Sequence, residues 1–174
     1  MEAELLARCD YTREEYVDLL EKSEQKMEYH DGQIVMMAGA TGPHNRITMN
    51  LSGLLYGNPN NCEPQGIDQA LTLPAFRKYV FPDLTFVCDA DKGSLYDDDS
   101  DQFLINPCLI VEVLSRKTAE CDRTEKFVIY RSLPTFREHL LIDSRKMQVE
   151  SFYREDDTSW IIQNLWLPEH ELTF

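Results

Sequence analysis

The run Leu109-Ile110-Val111-Glu112-Val113-Leu114 constrains this chain most, because it is a short apolar segment interrupted by one carboxylate. A run of that length reads as a central strand buried on both faces. An ionised carboxylate inside such a strand is costly to bury unless a positive group compensates it. Two readings are open: Glu112 lies on a solvated face or pairs with an arginine, or it is an acid held in place for chemistry. Phe81-Pro82-Asp83-Leu84-Thr85-Phe86-Val87 repeats the pattern, with Asp83 at the mouth of a second apolar strand. If the two strands are neighbours, their acids can converge on one hard cation, which prefers oxygen ligands.

The rest of the chain supplies elements around these strands. Thr12-Arg13-Glu14-Glu15 has the form of a capping box, and Tyr16, Leu19 and Leu20 follow at helical spacing, which predicts a helix over 13–23. Asp31-Gly32 is a two-residue hairpin signal. Pro43 suits the first turn of a helix whose apolar face is Ile47, Leu51, Leu54 and Leu55, ending at Gly57. A turn at 58–61 leads to two strands over about 63–73 and 79–88, and then to an acid-rich loop over 89–102. Asp122 can cap a helix that ends before Pro134. Strand-like segments at 138–143, 148–153 and 160–165 close the chain as a β-meander. The order predicts an α/β fold bordering on α+β, with a mixed sheet flanked by helices.

At 174 residues, without repeats or linkers, residues 1–174 are expected to form a single domain, with 1–10 as a short arm. No segment approaches the ~20 apolar residues of a membrane span and the first residues lack a basic stretch, so a cytoplasmic protein with no membrane contact is expected. The five cysteines are odd in number and never spaced C-x-x-C, which argues against a disulfide framework or a structural zinc site; Cys88 and Cys108 read as buried thiols. Tyr96-Asp97-Asp98-Asp99-Ser100-Asp101 fails as a calcium loop, since Gln102 and Cys108 stand where Gly and Glu are required. The net charge of −14 counts against tight, non-specific DNA binding unless the basic residues are segregated.

Pro82-Asp83, Glu112-Val113-Leu114-Ser115 and Asp122-x3-Lys126-x3-Tyr130, in that order, resemble the Uma2 (DUF820) family, a branch of the PD-(D/E)xK restriction-endonuclease-like superfamily. Met27-Glu28-Tyr29-His30-Asp31-Gly32, the helix of His44, and Glu138-His139-Leu140-Leu141-Ile142-Asp143 extend the resemblance over roughly 12–153. It implies a restriction-endonuclease-like fold and a metal-dependent DNA endonuclease, often a homodimer because cutting two strands takes two sites. It implies that Asp83 and Glu112, with the Val113 carbonyl, ligate Mg²⁺ or Mn²⁺, and that Glu28 is a further acid near the metal. The superfamily places a lysine two positions after the glutamate; here that position is Leu114, and the resemblance implies that Lys126 from the following helix substitutes. His44 and Tyr130 are supporting candidates. Read from the residues alone, Lys126 is a solvated helix lysine paired with Asp122 at i, i+4. The rival function is a catalytically silent protein of the same fold, serving as a nucleic-acid-binding or protein-interaction module.

Overall fold

The computed structural model describes residues 8–56, 62–88, 96–97, 100–116 and 118–166. Helix α1 (Arg13–Lys22) starts at the expected capping box: Thr12 Oγ1 accepts from the Glu15 backbone N–H at 3.2 Å, and the Glu15 carboxylate accepts from the Thr12 N–H at 2.9 Å. Strands β1 (Met27–His30) and β2 (Gln33–Met36) pair antiparallel around Asp31-Gly32. Both turn residues have positive φ, 47° and 94°, as a tight hairpin of this kind requires. Gly32 is needed for a second reason, since a Cβ there would lie 2.7 Å from the Cys9 carbonyl oxygen.

Helix α2 (Gly42–Leu55) begins with Pro43 in its first turn. Leu51 and Leu55 pack on the core, but Leu54 is 80% exposed and the buried residue of this helix is Thr48. The expected stop at Gly57 and turn at 58–61 lie outside the described residues.

The strand expected over 63–73 is two strands, β3 (Cys62–Gln65) and β4 (Ala70–Leu73), separated by a turn closed by Gln69 N–H to Gly66 C=O at 2.9 Å. Pro82, which has no backbone donor, falls between β5 (Lys78–Val80) and β6 (Leu84–Cys88). The acid-rich segment is not wholly loop. Tyr96–Asp97 forms β7 and Ser100–Leu104 forms β8, because Phe103 and Leu104 are fully buried and pair with Ala70 and Leu71. Strand β9 (Leu109–Leu114) is followed by one helical stretch: α3 (Ala119–Cys121), a π-helical segment (Asp122–Lys126) and α4 (Phe127–Tyr130). Asp122 is therefore inside the helix, 2% exposed, and not its cap. The meander is as expected: β10 (Glu138–Asp143), β11 (Gln148–Arg154) and β12 (Trp160–Trp166) pair in succession, antiparallel.

The strands divide between two six-stranded sheets, in the orders β2-β1-β5-β4-β8-β7 and β12-β11-β10-β9-β6-β3. Each is mixed, with β4–β8 and β9–β10 parallel. The chain crosses from the first sheet to the second at Phe81-Pro82-Asp83. From Ile110 to Leu114, β9 is buried on both faces, as its composition requires. One face meets α4 through Ile110, Ile129 and Tyr130, and the other meets α2 through Val111, Leu51 and Leu55.

His139 of β10 is fully buried among Phe127, Tyr130, Phe136 and Phe152, and neither ring nitrogen has a hydrogen-bond partner. Burial, with a smaller push from Lys126, lowers its pKa to about 3. The ring is neutral in the folded chain but takes a proton on unfolding below its ordinary value of 6.5. Its contribution is therefore complete above pH 6.5 and lost as pH falls toward 3. Denaturant unfolding at pH 7 and pH 5 should show a loss of roughly 2 kcal/mol in the native chain that is absent from His139→Leu. Equal losses in the two proteins would remove His139 from the account.

Candidate active site

The register of the second sheet brings the two strand acids together. Leu84 of β6 pairs with Val111 of β9 and Thr85 with Ile110, so continuing the ladder one residue sets Asp83 opposite Glu112. Past the end of β6, the Asp83 carboxylate takes over the edge of β9. Its Oδ2 accepts from the Val113 backbone N–H at 2.7 Å. A residue in an extended strand presents its N–H and C=O on the same edge, so the Val113 carbonyl also faces the Asp83 side. His44, near the start of α2, places Nε2 at 3.0 Å from the same Asp83 oxygen, with both side chains 12% exposed.

Glu112 points to the opposite helical layer. Its Oε1 accepts from Lys126 Nζ at 3.0 Å and from the Tyr130 hydroxyl at 2.7 Å. Lys126 and Tyr130 are four residues apart on the helical stretch, so both reach one carboxylate. Burial is the largest influence on Glu112 and pushes its pKa up to about 8; the charges of Asp122 and Asp83 push the same way, against Lys126 and the Tyr130 hydrogen bond. Burial would discharge Lys126, yet Glu112, Tyr130, Asp122 and Glu28 together hold its pKa well above the ordinary lysine value. The Tyr130 hydroxyl is raised well above its usual range, first by burial and then by the Glu112 charge.

Glu28 arrives from the other sheet. Its Oε1 accepts from the Phe81 backbone N–H at 3.2 Å and its Oε2 lies 2.9 Å from His30 Nε2. Burial pushes its pKa up, but the His30 hydrogen bond, the Lys126 charge and the Phe81 N–H outweigh burial and bring it below the usual value. The strand crossover at Phe81-Pro82-Asp83 thus carries one acid itself and donates to another.

The structure places Asp83, Glu112, Lys126, Glu28, His44, Tyr130 and Val113 around one strand end. It adds two residues to that set. His30 partners Glu28, and the alternation of β1 puts residues 28 and 30 on one face, a signal present in the sequence. Asp122 lies 3.0 Å from Lys126, so the i, i+4 pair read from the residues is real. It coexists with the Glu112 bond, because Lys126 bridges the two acids. Four carboxylates gather here against one lysine and two histidines, which suits a cation better than an anion. The donor types, two carboxylates and a main-chain carbonyl, are those that a hard divalent ion takes.

The chain matches the model of the Uma2 family, described as "Putative restriction endonuclease", over residues 13–173. The chain belongs to the Uma2 family. Two Synechocystis relatives are similar along most of their length. One, the uncharacterized protein slr1290, is 35% identical over 153 residues, covering 87% of this chain and 78% of that one. The other, sll1609, also uncharacterized, is 33% identical over 165 residues, covering 94% and 92%. In fold, this Uma2 chain resembles a crystal structure from Anabaena variabilis described as "a putative nuclease belonging to DUF820", with a TM-score of 0.69, 16% identity, and coverage of 94% of this chain and 89% of that one. The architecture is thus the restriction-endonuclease-like α/β fold. No helix among the described residues is long and apolar enough to cross a membrane.

Proposed function

We propose that this Uma2 chain is a metal-dependent DNA endonuclease, hydrolysing phosphodiester bonds at the strand end where Asp83 stands opposite Glu112. The observation that supports the reading is the Leu84–Val111 pairing, which, carried one residue further, sets two acids 29 positions apart in sequence at one strand end, with a half-buried lysine bonded to one of them. In this reading Asp83, Glu112 and the Val113 carbonyl hold Mg²⁺ or Mn²⁺, and Glu28 is a further acid at the site. The ion would neutralise charge on the phosphate and make a bound water more acidic.

The remaining residues position these groups. His44 and the Val113 N–H fix the Asp83 carboxylate through Oδ2. Tyr130 and Lys126 fix Glu112 through Oε1. Lys126 Nζ, kept charged by its acids, is the donor that positions the attacking water and supports negative charge building on the phosphate. The lysine acts from a helix because Leu114, at the superfamily position, is fully buried. The proposal treats 1–174 as one cytoplasmic domain that works as a homodimer, each protomer supplying one site.

Incubation of plasmid and branched DNA with the purified chain tests the reading. Cleavage is expected with millimolar Mn²⁺ or Mg²⁺ and not after chelation. Absence of cleavage on every DNA form, together with no divalent binding by calorimetry at millimolar metal, would leave the silent binding-module reading in its place.

A further inference from the structure

Three cysteines that look unrelated in sequence meet at the far end of the strands that carry Asp83 and Glu112. Cys62 of β3 lies directly opposite Cys88 of β6, with Cα atoms 4.0 Å apart. Cys108 immediately precedes β9, on the other side of β6, with its Cα 6.3 Å from that of Cys88. The three sulfurs lie within 4.8 Å of one another. Cys88 Sγ is within disulfide-forming reach of both Cys62 Sγ and Cys108 Sγ. A sulfur can hold only one such partner at a time. The thiol form of Cys108 has a place to rest, since its Sγ donates to the Phe86 carbonyl at 3.2 Å.

We infer that Cys62, Cys88 and Cys108 form one thiol–disulfide exchange centre in which Cys88 is the shared sulfur. A small-molecule disulfide oxidises two of the thiols, giving one protein disulfide while the oxidant becomes two thiols. From the Cys62–Cys88 disulfide, the deprotonated Cys108 sulfur attacks Cys88 Sγ. The Cys88–Cys108 bond forms, the Cys62–Cys88 bond breaks, and Cys62 leaves as a thiolate that takes up the proton. No net electrons move in that exchange. It transfers the covalent link on β6 from the edge strand β3 to the central strand β9. A four-coordinate zinc site fits less well, because the cluster offers three ligands among the described residues. Sequence spacing hid the cluster because the strands that unite it are distant in the chain.

The test is differential alkylation and non-reducing peptide mapping of the full chain equilibrated with millimolar oxidised glutathione. The expected result is one disulfide per chain, divided between Cys62–Cys88 and Cys88–Cys108 linkages, with the exposed Cys9 and Cys121 alkylated throughout. Cys62→Ser should retain only the Cys88–Cys108 link and Cys108→Ser only the Cys62–Cys88 link. Both Cys88→Ser and Cys88→Ala should lose the disulfide and leave Cys62 and Cys108 alkylated. A single fixed linkage in the native chain would overturn the proposal, and so would a Cys62–Cys108 link formed as readily without Cys88. Stoichiometric metal retained by the reduced native chain and lost in all three serine variants would overturn it as well. The mapping on the native chain needs no variant to fold, and no arm depends on nuclease activity.

Discussion

Asp83→Ala is expected to lower metal-dependent DNA cleavage by on the order of a hundred-fold or more, with little loss of bound DNA at equal protein concentration. Asp83 is the acid with the least structural alternative. Its carboxylate is 12% exposed and held by the Val113 N–H and His44, a fixed orientation at the end of β6 where no further ladder partner exists. Removing it takes away one proposed ligand and leaves the buried Val113 N–H without its partner. Glu112→Gln is expected to match it in activity, since the amide keeps the shape but cannot give up a proton to become a carboxylate ligand. Cleavage rates over a Mn²⁺ series decide the matter: native-like rates in Asp83→Ala would end the assignment of this strand end as the catalytic centre. A rate restored by raising metal would instead mark Asp83 as a ligand whose loss weakens binding.

Lys126→Met is expected to cost about 3–5 kcal/mol of stability above pH 8, where Glu112 is ionised, because it strands Glu112 and Asp122 with no cation between them. Both acids are nearly inaccessible, 3% and 2% exposed, and Lys126 lies 3.0 Å from each. Such a loss exceeds what a solvated helix lysine could produce, about 0–1 kcal/mol. The double variant Lys126→Met with Glu112→Gln should recover a large part of it, since one of the two orphaned charges is gone. Urea unfolding of the single and double variants measures this coupling directly. A loss under about 1 kcal/mol in the single variant would mean that water reaches the pair and that Lys126 is not the internal counter-ion.

The two results are complementary. Asp83 is expected to act on rate and Lys126 on both rate and stability, because only Lys126 neutralises buried charge. The site therefore holds its fold partly by the same lysine that the proposed chemistry uses.

Much of this was legible in the chain. The capping box at Thr12, the hairpin at Asp31-Gly32, the apolar strand around Glu112 and the terminal meander are local features. Propensity, turn geometry and alternation act within a few residues, so they are written where they operate. Asp83, Glu112, Lys126 and Glu28 became site candidates through the order of motifs in the Uma2 resemblance, not through any spacing that chemistry alone would single out.

Tertiary structure decided the rest. Whether Glu112 was solvated or compensated depended on a helix 14 residues further on, which delivers Lys126 and Tyr130 to one oxygen. The acid-rich segment around Tyr96 and Ser100 looked like loop, since its charge hides the burial of Phe103 and Leu104 beside β4. Asp122 looked like a cap and is instead a buried partner of Lys126. The cysteines looked scattered because pairing between β3, β6 and β9 is what brings them together. Short-range rules determined which segments are strands and helices. Which acids come to one strand end was set by strand register, a property of pairings between distant segments that no single segment encodes.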